Sequence, residues 1–346
     1  MVDRKHKQSA KKSKSPVPSP QAGLPSWVWA AGLAVLVGLF VYFNAGTGGK
    51  APSKQSAGAG DSTPDISMDR LLIQDEEVYK QYAGSASCQE CHASEFEQWK
   101  PSNHRMAERP LMAEFDVEAF DPDQGFEAAS IKSTAKKESD THIIETLGVG
   151  GTNQVHRLER VIGHTPLRQY LTDIGNGRLQ AMDTSYDPHH HEWFNVYGEE
   201  GRQAGEWGHW TGRGMNWNSM CAGCHNTRLR KNYDPETDQY HTAMAEMSVG
   251  CESCHGPLKA HVQYYKSPET YEKPPKAPLG ERDANQILDT CGSCHSRRTE
   301  LTGDFVPGES YLDHYSLVIP DASDLYYADG QVRDEDYVYT SFLSSK

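Results

Sequence analysis

The stretch Gly250-Cys251-Glu252-Ser253-Cys254-His255 contains two cysteines three positions apart and a histidine directly after the second. The same pattern occurs three more times along the chain of 346 residues. The other copies are Cys88-Gln89-Glu90-Cys91-His92, Cys221-Ala222-Gly223-Cys224-His225 and Cys291-Gly292-Ser293-Cys294-His295. Together the four copies use all 8 cysteines of the sequence, so the pattern accounts for every thiol.

C-x-x-C-H is the attachment motif of c-type haem. On one turn of helix, two cysteines at this spacing share a face and can form thioethers to one porphyrin. The histidine that follows supplies the proximal ligand to the iron. Zinc sites and redox-active dithiols also use C-x-x-C, and exported proteins use disulfides, but none of these explains a histidine after every second cysteine. The sequence therefore predicts four covalently bound haem c groups, with His92, His225, His255 and His295 as proximal ligands.

Charge and composition limit the possible functional classes. Hydrophobic residues make up only 36% of the chain, which excludes a membrane protein with many spans. The chain has 48 Asp and Glu against 34 Lys and Arg, a formal net charge of -14. Because nucleic-acid binding relies on clustered Lys and Arg, this acidic balance argues against a nucleic-acid partner.

The N-terminal region has the features of a membrane anchor. Residues 1–26 form a basic segment with a net charge of +5, and an uncharged apolar run follows at 27–43. A helix of this length and character matches one bilayer thickness, and positive charge before the span predicts a cytoplasmic N-terminus. We therefore expect a single-pass protein of the inner (cytoplasmic) membrane with its haem domain in the periplasm or outside the cell. A cleaved signal peptide is the alternative.

Beyond the apolar run the composition changes twice. Residues 44–67 are rich in Gly, Ala, Ser, Pro and Thr, which predicts a flexible linker. Residues 68–346 hold all four motifs and predict a tetrahaem cytochrome domain. Its expected fold class is a mainly α and loop multihaem cytochrome c fold with an inserted antiparallel β region at about 121–200.

The long interval between the first and second motifs predicts β structure. Short runs with partial alternation of apolar and polar residues are bounded by Gly- and Pro-containing turns, as in a meander of antiparallel strands. The runs are 126–132, 141–147, 153–162, 178–186 and 192–197, with one helical turn expected at 166–171. After the first motif, Phe96 and Trp99 lie three positions apart before Pro101, which predicts a short helix over 93–100.

The residues around the motifs resemble the cytochrome c-554 family. The resemblance is carried by Trp99 with Ser102-Asn-His104-Arg-Met106, by residues 250–257 and by the surroundings of His314. Segments 166–171 and 210–221 are closer to larger exported multihaem relatives, which often continue into further motifs. This similarity implies that more haem motifs can follow the segment that ends here at residue 346.

Histidine is the expected distal ligand, because the methionines show no special placement. The resemblance implies three distal histidines, each opposite one proximal histidine. The pairs are His104 with His255, His261 with His295, and His314 with His92. In small family members the haem equivalent to the one at His225 is five-coordinate. This chain has extra histidines in its inserted region, including 189–191, so the distal ligand at His225 stays open.

Two functional classes remain. The first is an electron carrier between redox protein partners, which needs no substrate pocket. Residues 27–346 carry a net charge of -19, once the +5 of residues 1–26 is removed from -14, and this predicts partners with basic docking faces. The second is a multihaem oxidoreductase that acts on a small nitrogen or sulfur compound at a five-coordinate haem. We favour the carrier, because no geometry in the sequence defines a catalytic group.

Overall fold

The partly alternating segment after the first motif forms the largest element of the structure, an eight-stranded antiparallel sheet. The computed structural model describes residues 74–270, 273, 275, 282–333 and 337–345. The strands of this sheet are β1 (Glu108–Pro110), β2 (Gln124–Ala128), β3 (Ile131–Glu138), β4 (Thr141–Leu147), β5 (Asn153–Ile162), β6 (Arg168–Asp173), β7 (Leu179–Asp187) and β8 (Glu192–Asn195). Strands β2 to β8 lie side by side in chain order. The predicted antiparallel β region is confirmed.

Strand β1 joins the sheet from outside this meander. The long strand β5 pairs with β4 through residues 153–158 and with β1 through residues 160–162. β1 follows the first motif closely in the chain. It therefore links the motif region to the sheet by both covalent connection and hydrogen bonds.

Two local predictions in this region were wrong. Residues 126–132 form parts of two strands, because Ala129 and Ser130 have φ values of 51° and 68° and make a tight turn. Residues 166–171 contribute to strand β6 and form no helical turn. Pairing of β6 with both β5 and β7 overrides the local preference there.

The sheet has an apolar core made by protein side chains. Trp193 is buried, and its ring stacks on Phe126 with 5.2 Å between ring centroids. It also meets the edge of Phe120 at 5.6 Å, and its indole N–H donates to the Ala119 carbonyl at 3.0 Å. Each aromatic pair adds about 0.5–1.5 kcal/mol beyond simple burial. This half of the domain has its own protein core.

The motifs lie among short helices and two-stranded ladders. The helices are α1 (Asp75–Tyr79), α2 (Ala93–Trp99), α3 (Ala113–Asp116), α4 (Trp217–Met220), α5 (Ala222–His225), α6 (Cys251–His255), α7 (Lys259–Lys266), α8 (Ala284–His295), α9 (Tyr311–His314) and α10 (Tyr339–Leu343). The ladders pair β9 (Asn226–Thr227) with β12 (Glu246–Met247), β10 (Tyr233–Asp234) with β11 (Gln239–Tyr240), and β13 (Arg298–Glu300) with β14 (Tyr315–Leu317). Helix α2 agrees with the helix predicted over 93–100.

The predicted membrane anchor at 27–43 and the linker at 44–67 lie outside the described residues. Within the part of the chain that the structure describes, no helix is long and apolar enough to cross a bilayer.

Candidate haem sites

Each motif takes the form of a single helical turn. The third motif (251–255) is helix α6, the fourth (291–295) is the last turn of α8, and the second (221–225) runs into α5. In the first motif (88–92), the His92 N–H donates to the Cys88 carbonyl at 2.8 Å. A helical turn places residues three positions apart on one face, which is the geometry that attachment of one porphyrin requires.

A buried glutamate inside the third motif connects it to the first. Glu252 is only 1% exposed. Its carboxylate accepts hydrogen bonds from the backbone N–H groups of Ala83 at 3.0 Å, Gly84 at 2.8 Å and Leu258 at 2.7 Å. Hydrogen bonds to a charged group contribute about 1.5–3 kcal/mol each. Glu252 therefore holds the chain before the first motif against the chain after the third.

The segment after the first motif is also anchored to the third. The Trp99 indole N–H donates to the Val249 carbonyl at 3.0 Å, and the Val249 N–H donates to the His104 carbonyl at 3.1 Å. On the other side, the Ser85 hydroxyl accepts the Cys251 N–H at 2.9 Å. These bonds position His104 relative to the third motif through its own backbone.

Cysteines from different motifs lie close together in three pairs. The pairs are Cys88 with Cys251, Cys254 with Cys291, and Cys294 with Cys224. The Cys224 thiol donates to the Cys294 carbonyl at 3.8 Å. Arg282 donates to the Cys254 carbonyl at 2.7 Å and to the Thr290 hydroxyl of helix α8 at 3.2 Å. In the free thiol form, the neighbouring Cys88 side chain lowers the pKa of the Cys251 thiol to about 6. The motifs therefore follow one another in space as first, third, fourth and second.

The structure brings together two pairs of imidazole rings. The ring centroids of His92 and His261 are 6.3 Å apart, and those of His104 and His295 are also 6.3 Å apart. A metal ion bonded to one nitrogen of each ring at about 2 Å separates the two ring centres by about 6 Å. The spacing of each pair is therefore compatible with two imidazoles that would hold one iron.

Cavities adjoin the motifs and have linings suited to porphyrin. One of about 410 Å³ is lined by Cys88, Cys91, His92 and His261. Another of about 380 Å³ is lined by residues of the first and third motifs, together with the aromatic rings of helix α2. Apolar walls, thiols and imidazoles are the groups that covalent haem needs, so these residues fit the cofactor.

The resemblance to the cytochrome c-554 family pairs His261 with His295, and this pairing stays a prediction. In the structure the His261 ring stacks beside that of His92. It is carried by helix α7, whose first residue, Lys259, donates its N–H to the Gln81 carbonyl at 3.0 Å. This bond turns α7 back toward the chain that precedes the first motif.

The pairings of His104 with His255 and of His314 with His92 also stay predictions. The ring of His104 lies 6.3 Å from that of His295, and His104 also lines one cavity together with His255. His314 has partners of its own, since its Nδ1 is hydrogen-bonded to the Thr302 hydroxyl at 2.6 Å and its Nε2 lies 3.1 Å from the Glu309 carboxylate. Helix α9 therefore presents His314 to side chains of its own neighbourhood.

The second-motif histidine is oriented by the backbone. His225 Nδ1 donates to the Ala107 carbonyl at 2.9 Å, just before strand β1. In this tautomer Nε2 has no proton and is available to a metal. The Ala107 carbonyl is a functional group that the sequence analysis missed, because the pairing of β1 with β5 brings it to His225 from a distant part of the chain.

Burial keeps two site histidines neutral. It lowers the pKa of His104, with a further contribution from nearby His295. It also lowers the pKa of His255, with further contributions from Arg282 and His92. Only a neutral imidazole offers a lone pair to a metal, so both side chains are in the protonation state that ligation requires.

The histidine run at 189–191, a possible source of distal ligands, lies at the turn between β7 and β8. His190 Nδ1 is 2.7 Å from the Asp187 carboxylate and lowers the pKa of that carboxyl to about 2. His191 is hydrogen-bonded to the Tyr186 hydroxyl at 3.3 Å. These partners assign the run to the surface of the sheet.

A family model supports the class of protein that the site indicates. The model described as cytochrome c554 and c-prime matches residues 87–147 and 184–256. These two segments contain the first, second and third motifs, and the fourth lies outside them. The match, together with the repeated C-x-x-C-H motif, supports a multihaem c-type cytochrome that transfers electrons.

Two solved structures are similar to this chain. The outer cell wall cytochrome OcwA aligns with a TM-score of 0.49 and 21% identity over 76% of this chain and 51% of its own. The undecahaem cytochrome from the S-layer of Carboxydothermus ferrireducens aligns with a TM-score of 0.39 and 19% identity over 62% of this chain and 25% of its own. This chain thus spans about half the length of the first and a quarter of the second. No curated protein matches the chain.

Proposed function

We propose that this chain is a tetrahaem cytochrome that passes electrons between redox protein partners. The observation that carries the proposal is the contact between motifs, in which the first adjoins the third, the third adjoins the helix of the fourth, and the fourth adjoins the second. Each bound haem supplies a one-electron redox centre. The contacts between motifs support a continuous row of such centres through the domain.

The side chains have separate roles in this arrangement. The eight cysteines hold the cofactors covalently, and the four motif histidines are the proximal ligands. His261 and His104 serve as distal ligands at the first and fourth motifs. An iron held by two histidines would leave no place for a substrate, so the bound haem would supply electron transfer there.

The proposal is tested by the intact mass of the protein, made in a host with working haem maturation. We expect the mass of the polypeptide plus four haems, and a redox titration that accounts for four electrons. A mass that corresponds to fewer haems would refute the tetrahaem assignment. Oxidation of only part of the haem by an added electron acceptor would count against a connected row.

We also infer that residues 27–43 anchor the protein in the inner membrane, with the haem domain outside the cytoplasm. The support is the +5 charge of residues 1–26 followed by an uncharged span. Covalent attachment of haem also requires that the cysteine thiols are free to react. Sequencing of the mature N-terminus tests this inference. A mature protein that begins near Ala45 or Gly46 would identify the span as a removed signal peptide.

A second candidate function is redox catalysis at an iron with one open position. It is motivated by His225, whose ring pairs with no second imidazole among the described residues. An oxidoreductase acting on a small nitrogen or sulfur compound needs such a position. The ferric spin state distinguishes the two functions, since a high-spin fraction indicates an open iron and a fully low-spin spectrum supports the carrier alone.

A further inference from the structure

Glu108, on strand β1, is a fully buried carboxylate at 0% exposure. Its Oε2 accepts hydrogen bonds from the Trp217 indole N–H at 2.8 Å and the Asn226 amide at 2.6 Å. Its Oε1 accepts from the Arg160 guanidinium at 3.0 Å. A buried carboxylate is costly unless its oxygens are satisfied, and three donors meet that requirement here.

Two of these donors flank the second motif. Trp217 begins helix α4, four residues before Cys221, and Asn226 directly follows His225. Asn226 is further held because its amide also donates to the Ala222 carbonyl at 3.2 Å. The Glu108 carboxylate on strand β1 therefore binds residues on both sides of the second motif.

The residue before Glu108 acts on the same histidine. The Ala107 carbonyl accepts the Nδ1–H of His225 at 2.9 Å and the N–H of Gly163 at 3.0 Å. Gly163 directly follows strand β5, so the sheet fixes the direction of this carbonyl. A hydrogen bond from Nδ1 orients a ligating imidazole and raises its basicity.

The charge of Glu108 acts on Cys221, a cysteine of the second motif. Burial raises the pKa of the Cys221 thiol to about 12, and the negative charges of Cys224 and Glu108 add to that increase. The compensating charge of Arg160 is 27% exposed and lies over the Trp217 ring at 5.0 Å. Water screens the guanidinium more than the fully buried carboxylate, so Arg160 offsets the charge of Glu108 only in part.

We propose that Glu108 is a positioning residue for the haem at Cys221 and Cys224, one that orients His225 through strand β1 and lowers the reduction potential of that haem. The inference rests on the proposed haem attachment at the second motif. Adding an electron to a haem beside a buried negative charge is disfavoured, and a more basic proximal imidazole stabilises the oxidised iron. Both effects act in the same direction.

The experiment uses the full haem-loaded protein and a spectroelectrochemical titration of all its haems. Glu108→Gln should raise the reduction potential of one haem and leave the potentials of the others unchanged. Arg160→Gln should lower the potential of the same haem, because it removes the compensating positive charge. Glu145→Gln is the matched control, since Glu145 is an exposed glutamate on strand β4 of the same sheet, and it should change no potential.

Opposite shifts at one haem would support the inference, because a merely structural role would not reverse sign between the two variants. If Glu108→Gln prevents folding, Arg160→Gln alone still tests the inference. Unchanged haem potentials in that variant would overturn the role assigned to Glu108. Intact mass separates this failure from failure of the proposed function. A protein without haem at the second motif refutes the function, whereas a fully loaded protein with unshifted potentials refutes only the role of Glu108.

Discussion

Replacing Glu252 with Gln tests how the first and third motifs are held together. In the carboxylate, Oε1 accepts from Leu258 at 2.7 Å and from Ala83 at 3.0 Å, and Oε2 accepts from Gly84 at 2.8 Å. Gln keeps one acceptor oxygen but presents an NH₂ group to the remaining donor. One charge-assisted hydrogen bond is lost and one buried N–H is left unsatisfied, which costs roughly 2–4 kcal/mol.

The assay is thermal unfolding of the haem-loaded protein. In a domain of this size, each kcal/mol shifts Tm by about 2–4 °C, so Glu252→Gln should lower Tm by roughly 5–15 °C. The matched control is Glu90→Gln, which changes a glutamate inside the first motif. Glu90 is exposed and forms a surface ion pair with Lys266 at 3.1 Å, and such pairs contribute about 0–1 kcal/mol.

A local measurement accompanies the global one. Amide hydrogen exchange at Gly84 should accelerate in Glu252→Gln and stay unchanged in Glu90→Gln, because only the first variant releases that N–H. Equal Tm values for the two variants, with unchanged exchange at Gly84, would refute the view that Glu252 joins the motifs.

Three further predictions concern ligation, pH and docking. His261→Ala should convert one low-spin ferric haem to high spin, and an unchanged electron paramagnetic resonance spectrum would reject the pairing with His92. Burial raises the pKa of Asp183, so the stability this carboxyl contributes is present below its unfolded pKa of about 3.9 and is lost as pH rises through the folded value. The Tm of Asp183→Asn should therefore increase relative to the Tm of the natural protein as pH rises. A Tm difference that does not depend on pH would contradict this. The charge of -19 on residues 27–346 predicts that electron transfer to a basic partner slows as ionic strength increases, and a rate indifferent to salt would argue against transient docking.

The sheet shows where local sequence is informative and where it is not. The predicted strands at 141–147 and 153–162 coincide with β4 and β5, because alternation and the glycine-rich turn between them mark both ends. The turn at Ala129 and Ser130 carries no Gly, Asn or Pro, so the residues gave no sign of it. Strand β6 is extended only because it has a strand on each side, which is a tertiary cause.

The haem ligands divide in the same way. Each proximal histidine is identified from its motif, since a motif is complete within five residues. Each distal histidine depends on how separate segments fold against one another. The hydrogen bond from Lys259 to Gln81 that carries His261 back to the first motif joins residues far apart in the chain, and no local pattern encodes it.

The sequence by itself determined the cofactor class and the existence of an antiparallel insert, and it predicts the attachment cysteines and the proximal histidines, because each of these depends on short-range spacing or alternation. Tertiary structure decided which motifs lie next to each other and which histidine rings lie close together. It also decided how Glu252 and Glu108 bind segments that are distant in the chain. The physical reason is that a buried carboxylate must find several donors at once. Only the folded chain brings backbone N–H groups, an indole and an amide from separate segments to within hydrogen-bonding distance of one side chain.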